Sequence, residues 1–357
     1  MGHQVTLVPG DGTGPELTRL ACEVLSATGV EIAWDIQQVG TPAVEMSGTP
    51  LPDGVLDAIL ATGAALKGPV TTPAGPGGFP SVNVALRRRL DLFAQVRPCR
   101  SWPGVASPCG RLDLVVIRDT TEGLYAGAEL APGAPETVAM LDLLNAQGGA
   151  LDPRSAVSVK PVSEQACRRI ARFAFDYARS HGYERVTAVH KASVMRRTDG
   201  LFLEVARDVA GEHPALVFDD CLVDAACAQL VRRPEGLQVL VTLNLYGDIL
   251  SDLAAALAGG VGLAPGANVG PRVAVFEAAH GSAPKLAGRR RANPVGLILS
   301  GALLLRHLGE QEAAARVESA VASVLAQGRT LTYDLRRSPG APVASSDEVA
   351  AAVIAHL

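Results

Sequence analysis

The chain has 357 residues, 48% of them hydrophobic, and a formal net charge of -4. This length is enough to bury a large core and usually gives two domains or one elaborated α/β domain. The small net charge gives no sign of a nucleic-acid surface, and no stretch approaches the roughly 18 consecutive apolar residues that would cross a bilayer. We therefore expect neither nucleic acid nor a membrane as a partner.

The six cysteines are scattered, without C-x-x-C pairs. This favours reduced thiols in a cytoplasm over a disulfide framework or a zinc site. The N-terminal segment from Val5 to Val8 is short and apolar, unlike the basic segment and long apolar block of a signal peptide. We therefore predict a first strand there and a cytoplasmic location.

A glycine-rich turn, residues 9–16, joins this strand to an amphipathic segment that reaches Leu25. The dinucleotide pattern G-x-G-x-x-G would need glycine where Pro15 stands, and no acidic residue closes a second strand in the expected way. Pro15 at the start of a helix explains the turn better. The pattern therefore disfavours a classical Rossmann fold.

Further strands and helices alternate to residue 65, and an irregular loop rich in glycine and proline, residues 73–80, follows. Such a loop between regular elements is typical of a binding loop. The next segment, residues 81–90, has apolar residues at helical spacing, and Ser81 at its start is suited to cap the helix. The segment therefore predicts a helix beside a binding loop.

Three arginines follow one another in this part of the chain. Two predicted strands, residues 91–98 and 112–118, end near Arg97 and Arg118, and Arg87 precedes them. Taken singly, each arginine is more often a surface residue. Buried charges must meet an anion or reach water, and the guanidinium group binds carboxylates through two parallel hydrogen bonds. Together they indicate a pocket for a ligand with several carboxylates.

From about residue 101 to residue 243 the alternation weakens, and a predicted strand at 156–160 lies beside a predicted helix at 163–180. This pattern predicts a smaller α+β domain, residues 101–248, inserted into a large α/β domain of residues 1–100 and 249–357. We therefore expect an α/β fold with two unequal parts.

Two acids, Asp248 and Asp252, follow an apolar run at 237–243 that predicts a buried strand. Their spacing places both carboxylates on one face of the helix that follows. Paired carboxylates repel, so they need either full solvation or a cation between them. Solvated acids near a helix N-terminus and ligands of a hard divalent ion both fit the spacing.

Seven motifs, in order along the chain, resemble those of the β-decarboxylating dehydrogenases, the family of isocitrate, isopropylmalate, homoisocitrate and tartrate dehydrogenases. The resemblance covers essentially the whole chain. The motifs are GDGTGPE, LKGPVTTP, SVNVALRRRLDLFAQVRP, IRDTTEGLYAG, TAVHKASVMRRTDG, NLYGDILSD and HGSAPKLAGRRRANP. The resemblance implies oxidation of a 2-hydroxy acid by a nicotinamide cofactor, followed by loss of the β-carboxylate.

The resemblance also assigns roles to residues. It implies Mg²⁺ or Mn²⁺ held by Asp248, Asp252 and, from the other subunit of a homodimer, Asp224. Lys191 would help to remove the hydroxyl proton, and Tyr125 would protonate the enol carbon after CO2 leaves. The three arginines become clamps for the carboxylates of a tricarboxylate-like substrate. A non-catalytic regulatory subunit would lack part of this set, all of which is present.

The substrate is predicted from Ser81 and Asn83, which stand where isopropylmalate enzymes carry apolar residues. These hydrogen-bonding groups suit an anionic γ-substituent, so isocitrate is favoured. Two departures point to a modified pocket: Asp119 and Thr120 replace the usual E-N, and the 73–80 loop is one residue longer. The alternatives are therefore an isocitrate analogue with another anionic γ-group, such as a phosphonate, and homoisocitrate or isopropylmalate.

The cofactor is predicted from the loop after the HGSAP motif. NAD-using members generally have an acid where this chain has Lys285, which would instead attract a 2′-phosphate; Leu286 departs from the NADP pattern. NADP is therefore favoured over NAD. The predicted cofactor-binding residues are Thr72, His280, Gly281, Ser282, Ala283, Lys285, Asn293, Tyr333 and Arg337.

Overall fold

The computed structural model describes residues 2–73, 78–336 and 340–357, and it alternates between strands and helices. The strands are β1 (His3–Val8), β2 (Ile32–Ile36), β3 (Ala64–Lys67), β4 (Ala94–Arg100), β5 (Asp113–Asp119), β6 (Glu129–Leu130), β7 (Val157–Ser158), β8 (Arg185–His190), β9 (Val217–Leu222), β10 (Val239–Thr242), β11 (Ala267–Val269) and β12 (Ala274–Glu277). The α-helices are α1 (Gly14–Ala27), α2 (Thr41–Ser47), α3 (Asp53–Thr62), α4 (Val82–Arg89), α5 (Pro135–Ala146), α6 (Glu164–Ser180), α7 (Thr198–Gly211), α8 (Val223–Arg232), α9 (Asn244–Leu257), α10 (Val295–His307), α11 (Gln311–Gln327) and α12 (Ser346–Ile354). Short 3-10 helices cover Gly123–Ala126, Pro234–Gly236, Val261–Leu263 and Pro284–Leu286.

Ten of these strands form one mixed sheet in the order β2-β1-β3-β12-β11-β4-β5-β10-β8-β9. The strands pair in parallel on both sides of the sheet, whereas the three central pairs, β12–β11, β11–β4 and β4–β5, are antiparallel. Strands β6 and β7 form a separate small sheet. This is an α/β fold whose strand order differs from that of a classical Rossmann domain, as predicted.

The central antiparallel pairs bring a row of polar residues together across the sheet. Gln95 on β4 lies between Asn268 on β11 and Arg118 on β5, and Thr242 on β10 lies beside Arg118. All four residues are buried. Because buried polar groups need partners, this row marks the part of the sheet where a polar site forms.

Helices cover both faces of the sheet. The predicted helix at 163–180 is confirmed as α6, whose N-cap Ser163 accepts a hydrogen bond from the Ala166 N–H. The apolar segment at 297–305 lies within α10, which is buried along most of its length. Within the ranges that the structure describes, no helix is both long enough and apolar enough to cross a membrane.

The structure corrects two predicted strands. The segment 156–160 forms only the two-residue strand β7, which pairs with β6 outside the main sheet. Strand β4 continues to Arg100, so Arg97 lies in the middle of a strand and not near its end. The main sheet contains strands of both predicted domains, and the division into residues 101–248 and the remainder stays a prediction.

Candidate active site

The two acids of the candidate site lie one turn apart on α9, which begins four residues before Asp248. Nη1 of Arg118 lies 2.7 Å from Oδ1 of Asp248, and the Tyr125 hydroxyl donates to Oδ2 at 2.5 Å. Partial burial raises the pKa of Asp252, Arg97 opposes the rise, and the Asp248 charge adds to it. The two carboxylates therefore share one face, as their spacing predicts.

A glycine allows α9 to lie against the sheet at this point. A Cβ atom on Gly247 would lie 2.3 Å from Cβ of Arg118, a separation that only movement of the helix or the strand could relieve. Because Gly247 has no side chain, the next residue, Asp248, can face Arg118 directly. The helix that carries the acids is positioned by this close approach.

The three predicted arginines are all buried: Arg87 and Arg97 are 8% exposed and Arg118 is 2% exposed. Arg87 donates to Asn268 Oδ1 at 2.9 Å, and Arg118 donates to Gln95 Oε1 at 2.5 Å. Among the described residues, however, Nε and Nη1 of Arg97 have no hydrogen-bond partner. Unpaired buried donors are costly, so Arg97 is suited to meet an anionic ligand.

Burial lowers the pKa of Arg97 and also that of Arg118, to about 10 in the second case. Both guanidinium groups nevertheless remain protonated at neutral pH. Positive charge is thus concentrated on buried side chains beside the two half-exposed acids of α9.

A buried ion-pair network supports Arg87, and the sequence did not assign it a role. Glu277 lies 2.7 Å from Lys67 and 3.3 Å from Arg87, and it accepts a hydrogen bond from Asn268 at 2.8 Å. Burial opposes ionisation of Glu277, but the charges of Lys67, Arg87 and Arg97 outweigh it and hold its pKa well below the usual range. Glu277 therefore fixes Arg87 through charge and through Asn268.

Two predicted substrate-binding residues begin α4. Ser81 caps the helix, because its hydroxyl accepts a hydrogen bond from the Val84 N–H at 3.5 Å. Asn83 lies four residues before Arg87 and thus on the same helix face. Its Oδ1 is buried and finds no hydrogen-bond partner in the described part of the chain. The face that carries Arg87 therefore also presents an amide with unused hydrogen-bonding capacity.

Lys191 and Asp224 form a second group. The lysine Nζ lies 2.6 Å from Asp224 Oδ1, and this hydrogen bond lowers the pKa of the aspartate. Considering only described residues of a single chain, no three His, Cys, Asp or Glu side chains are close enough to hold a metal ion. One chain thus places Asp224 with Lys191 and separately from the α9 acids.

The predicted cofactor-binding loop is docked onto the glycine-rich turn. The Thr13 N–H donates to the Ser282 carbonyl at 2.9 Å, and the Thr71 hydroxyl lies 2.7 Å from that of Ser282. Asp11 accepts hydrogen bonds from both the N–H and the hydroxyl of Thr71 at 2.6 Å. The turn that fails the dinucleotide pattern thus joins the loops that contain Thr72 and residues 280–283.

The remaining predicted cofactor residues lie on two neighbouring segments. Asn293 donates to Asp334 at 3.0 Å, which joins the segment after Lys285 to the one that contains Tyr333. The Arg291 guanidinium lies 5.4 Å from the centre of the Tyr333 ring. Lys285 and Tyr333 are exposed. Arg337 lies outside the described residues.

His280, Gly281 and Ala283 belong to the docked loop. The His280 ring Nδ1 lies 3.0 Å from the Gly281 carbonyl, and burial lowers the pKa of the imidazole. No atom of the described ranges hydrogen-bonds its buried Nε2. The neutral ring therefore has one polar atom available to a ligand, and a contact between His280 and the cofactor stays a prediction.

Comparison with known proteins gives a consistent result. A family profile described as isocitrate/isopropylmalate dehydrogenase matches residues 4–353. The chain is 41% identical over 99% of its length to "Isocitrate dehydrogenase [NAD] catalytic subunit 5, mitochondrial" of Arabidopsis thaliana, covering 88% of that protein. It is 40% identical over 91% of its length to "3-isopropylmalate dehydrogenase, chloroplastic" of Solanum tuberosum, covering 86% of that protein. A crystal structure of isocitrate dehydrogenase from Methylococcus capsulatus superposes with a TM-score of 0.90 at 45% identity, covering 99% of both chains.

Proposed function

Because this chain belongs to the isocitrate/isopropylmalate dehydrogenase family and is a β-decarboxylating dehydrogenase, we propose that it converts isocitrate to 2-oxoglutarate with a nicotinamide cofactor. The observation that carries the proposal is the buried guanidinium of Arg97, two of whose donors have no partner among the described residues. A substrate carboxylate supplies the acceptors that these donors need. Arg87 and Arg118 extend the same cationic surface.

The choice of isocitrate within the family rests on α4. A branched alkyl group packed over Asn83 would keep its buried Oδ1 unsatisfied, which costs about 1–3 kcal/mol. A polar γ-group brings hydrogen-bonding capacity to the same place. Ser81 already caps the helix, so Asn83 carries more of this specificity than Ser81 does.

The departures at Asp119 and Thr120 have a local explanation. Asp119 accepts hydrogen bonds from the Thr121 hydroxyl and from the Glu122 N–H, and the Thr120 hydroxyl donates to the Leu92 carbonyl. Both side chains thus build the turn that precedes Tyr125. Because both side chains are engaged in this turn, the two departures need not signal a modified substrate pocket, and isocitrate stays favoured. An isocitrate analogue with a phosphonate γ-group is the second candidate substrate.

The acid pair fits a hard divalent cation, since carboxylate oxygens are the ligands that Mg²⁺ and Mn²⁺ prefer. We infer that Asp248 and Asp252 hold it together with Asp224 of the partner subunit. A bound ion would supply Lewis-acid stabilisation of negative charge on the substrate oxygen. Arg118 positions Asp248 for this role through their 2.7 Å ion pair.

Two residues move protons in the proposed reaction. Tyr125 stays protonated because burial and its hydrogen bond to Asp248 raise its pKa, so it can give its proton to the enol carbon. Lys191 removes the hydroxyl proton. Since Lys191 pairs with Asp224 in one chain, we infer that the partner subunit supplies both residues together.

A homodimer with shared sites is supported by the surfaces of α8 and α9. Val231 on α8 is 52% exposed and Ile249 on α9 is 54% exposed. Asp224 lies on the first of these helices and Asp248 on the second. A dimer contact through these helices would bury both apolar side chains and bring the two acids toward one another across the interface.

The cofactor preference is the finer part of the proposal. NADP is supported by exposed Lys285 and by the neighbouring Arg291 and Tyr333, whereas the relative from Arabidopsis thaliana carries NAD in its name.

Replacing Lys285 by Asp should lower the ratio of kcat/KM for NADP to that for NAD by at least about tenfold, because a charge-assisted hydrogen bond to the 2′-phosphate is lost. Lys285→Gln removes the charge without adding repulsion and serves as the control. An unchanged ratio in both variants would exclude this lysine as the determinant.

The reaction is tested by steady-state kinetics with Mn²⁺ and either cofactor. The substrates are isocitrate, homoisocitrate, isopropylmalate and a phosphonate analogue of isocitrate. We expect the highest kcat/KM with isocitrate. Comparable turnover of isopropylmalate would contradict the role of Asn83, and absence of turnover with every substrate would favour a regulatory subunit.

A further inference from the structure

Asp199 is a completely buried carboxylate that the proposed chemistry does not use. It lies in the first turn of α7 and is 0% exposed. Its Oδ2 accepts hydrogen bonds from the backbone N–H of Lys191 at 2.7 Å and from the Tyr246 hydroxyl at 2.9 Å. Its Oδ1 forms a short ion pair with Lys160. One carboxylate thus joins three separate segments of the chain.

The contact with Lys191 is to its backbone, which determines where the side chain begins. Lys191 follows β8 directly, and its carbonyl accepts from the N–H groups of Val194 and Met195. On one side the turn is tied to His190, whose Nδ1 accepts from the Ala192 N–H at 3.0 Å. Asp199 is the charged group that holds the start of this turn, because it accepts the hydrogen bond from the Lys191 N–H.

The other partners of Asp199 are themselves held. The Lys160 Nζ lies 5.0 Å from the centre of the Tyr246 ring and 3.5 Å from its hydroxyl. Tyr246 belongs to α9, two residues before Asp248. A buried carboxylate stays charged only when its oxygens have hydrogen-bond and ion-pair partners, as those of Asp199 do. A network in which every polar group has a partner holds its side chains in one arrangement.

We propose that Asp199 is a positioning residue for Lys191, and that it sets the place of the lysine by anchoring its backbone to Lys160 and to α9. The proposal rests on the role given to Lys191 in the proposed function. The proposed role of Asp199 requires no contact with the substrate. It acts through the turn that carries Lys191, whose Nζ then reaches Asp224.

The test replaces Asp199 by Asn in the full-length protein. The native carboxylate meets donors on both oxygens, whereas an amide offers one acceptor and one donor group. Either the hydrogen bond from the Lys191 N–H or the contact with Lys160 must therefore be lost. We expect kcat with isocitrate to fall about 100-fold, the effect of a misplacement near 1 Å, while KM for isocitrate changes little. Tyr246→Phe removes one donor but keeps the Lys191 contact, so its kcat should fall by less.

A second readout does not depend on turnover. The rate at which an amine-reactive acylating reagent modifies Lys191, measured by peptide mass spectrometry and divided by that for exposed Lys285, should rise in Asp199→Asn because the turn is released. Val317→Ala, a buried position on α11, is the control for lost stability and should change neither readout. If Asp199→Asn does not fold, Asp199→Glu shifts the carboxylate by one methylene and is measured in the same way.

An unchanged kcat or an unchanged labelling ratio in a folded Asp199 variant would overturn the proposal. Failure of the proposed function is distinguishable, since the wild-type protein would then not turn over isocitrate at all. In that case the labelling ratio alone decides whether Asp199 fixes the position of Lys191.

Discussion

At the scale of single residues, the three buried arginines of the candidate site differ in their hydrogen bonding. Two have partners for the donors that face the sheet, whereas the third has two donors without a partner among the described residues. Arg87 and Arg118 are held by Asn268 and Gln95, so their orientations are fixed before any ligand arrives. Arg97 is equally buried, yet two of its donors find no partner within the described ranges. Buried donors without a partner are costly, and an anionic ligand would satisfy them, which is why Arg97 carries the functional conclusion.

Arg97→Lys tests this conclusion. Lysine keeps the charge but cannot form two parallel hydrogen bonds with one carboxylate. We expect kcat/KM for isocitrate to fall about 100-fold, as for loss of a charge-assisted hydrogen bond. Arg100→Lys on the exposed end of the same strand is the matched control. Equal kinetics in the two variants would remove Arg97 from the substrate site.

Glu277→Gln tests the network behind the arginines. The variant leaves buried cations without their counter-charge, and its free energy of unfolding should fall by about 3–5 kcal/mol at neutral pH. The folded pKa of Glu277 is depressed, so the folded state binds fewer protons than the unfolded state. The stabilisation is therefore present above the unfolded pKa of about 4.3 and is lost as the pH falls below it.

This dependence is measured by urea unfolding of wild type and variant at one protein concentration between pH 7 and about pH 3. The difference between the two proteins should be constant above pH 5 and should narrow below about pH 4.3. A difference that stays constant over the whole range would show that the Glu277 charge does not contribute.

At the scale of elements, the glycine-rich turn at residues 9–16 acts as a dock for two loops. Asp11 holds Thr71, and Thr13 holds Ser282. Gly12 has a φ of +62°, and a Cβ atom there would lie 2.4 Å from the Ser282 carbonyl oxygen. The glycine is therefore needed for the close approach of the turn to the predicted cofactor loop.

Gly12→Ala should move residues 280–283 and raise the dissociation constant for the nicotinamide cofactor at least about tenfold, because correct placement of binding groups is lost. Gly29→Ala is the matched control, since Gly29 has a φ of +83° but no atom within 4 Å of its added Cβ. Both variants carry backbone strain, and only the first disturbs the loop. Calorimetric binding of the cofactor to each protein gives the comparison, and equal weakening would attribute the effect to strain alone.

At the scale of the whole molecule, one chain separates the groups that the proposed reaction needs. Tyr125 and Asp248 are in contact, whereas Lys191 is paired with Asp224 on another element. Asp199 and Tyr246 connect these two groups within the chain. The proposed homodimer, with sites assembled from two subunits, accounts for the two incomplete groups of each chain.

Mixing two inactive variants tests the shared site. Lys191→Met and Asp248→Asn proteins are refolded together, so that each mixed dimer contains one site with both native residues and one with neither. Random pairing should then restore about a quarter of wild-type activity. Each variant refolded alone should stay inactive. No recovery in the mixture would mean that one chain supplies the complete site.

Sequence alone determined the local elements and the family. Helical spacing predicted α6 and the shared face of Asp248 and Asp252, Pro15 predicted the start of α1, and the seven motifs led to the α/β fold, because all of these are encoded by neighbouring residues. The pattern at 156–160 predicted too long a strand, since pairing with β6 is decided by contacts far along the chain.

Tertiary structure alone decided which charges meet. Lys67 and Glu277 are 210 residues apart in the sequence and form an ion pair because β3 and β12 are neighbours in the sheet. Contacts between distant segments also join Asp199 to Lys160 and Tyr246. They leave two donors of Arg97 without a partner among the described residues. Periodicity reports the burial of apolar side chains within one element, whereas a buried charge is satisfied by whichever distant group the packing of the sheet places beside it.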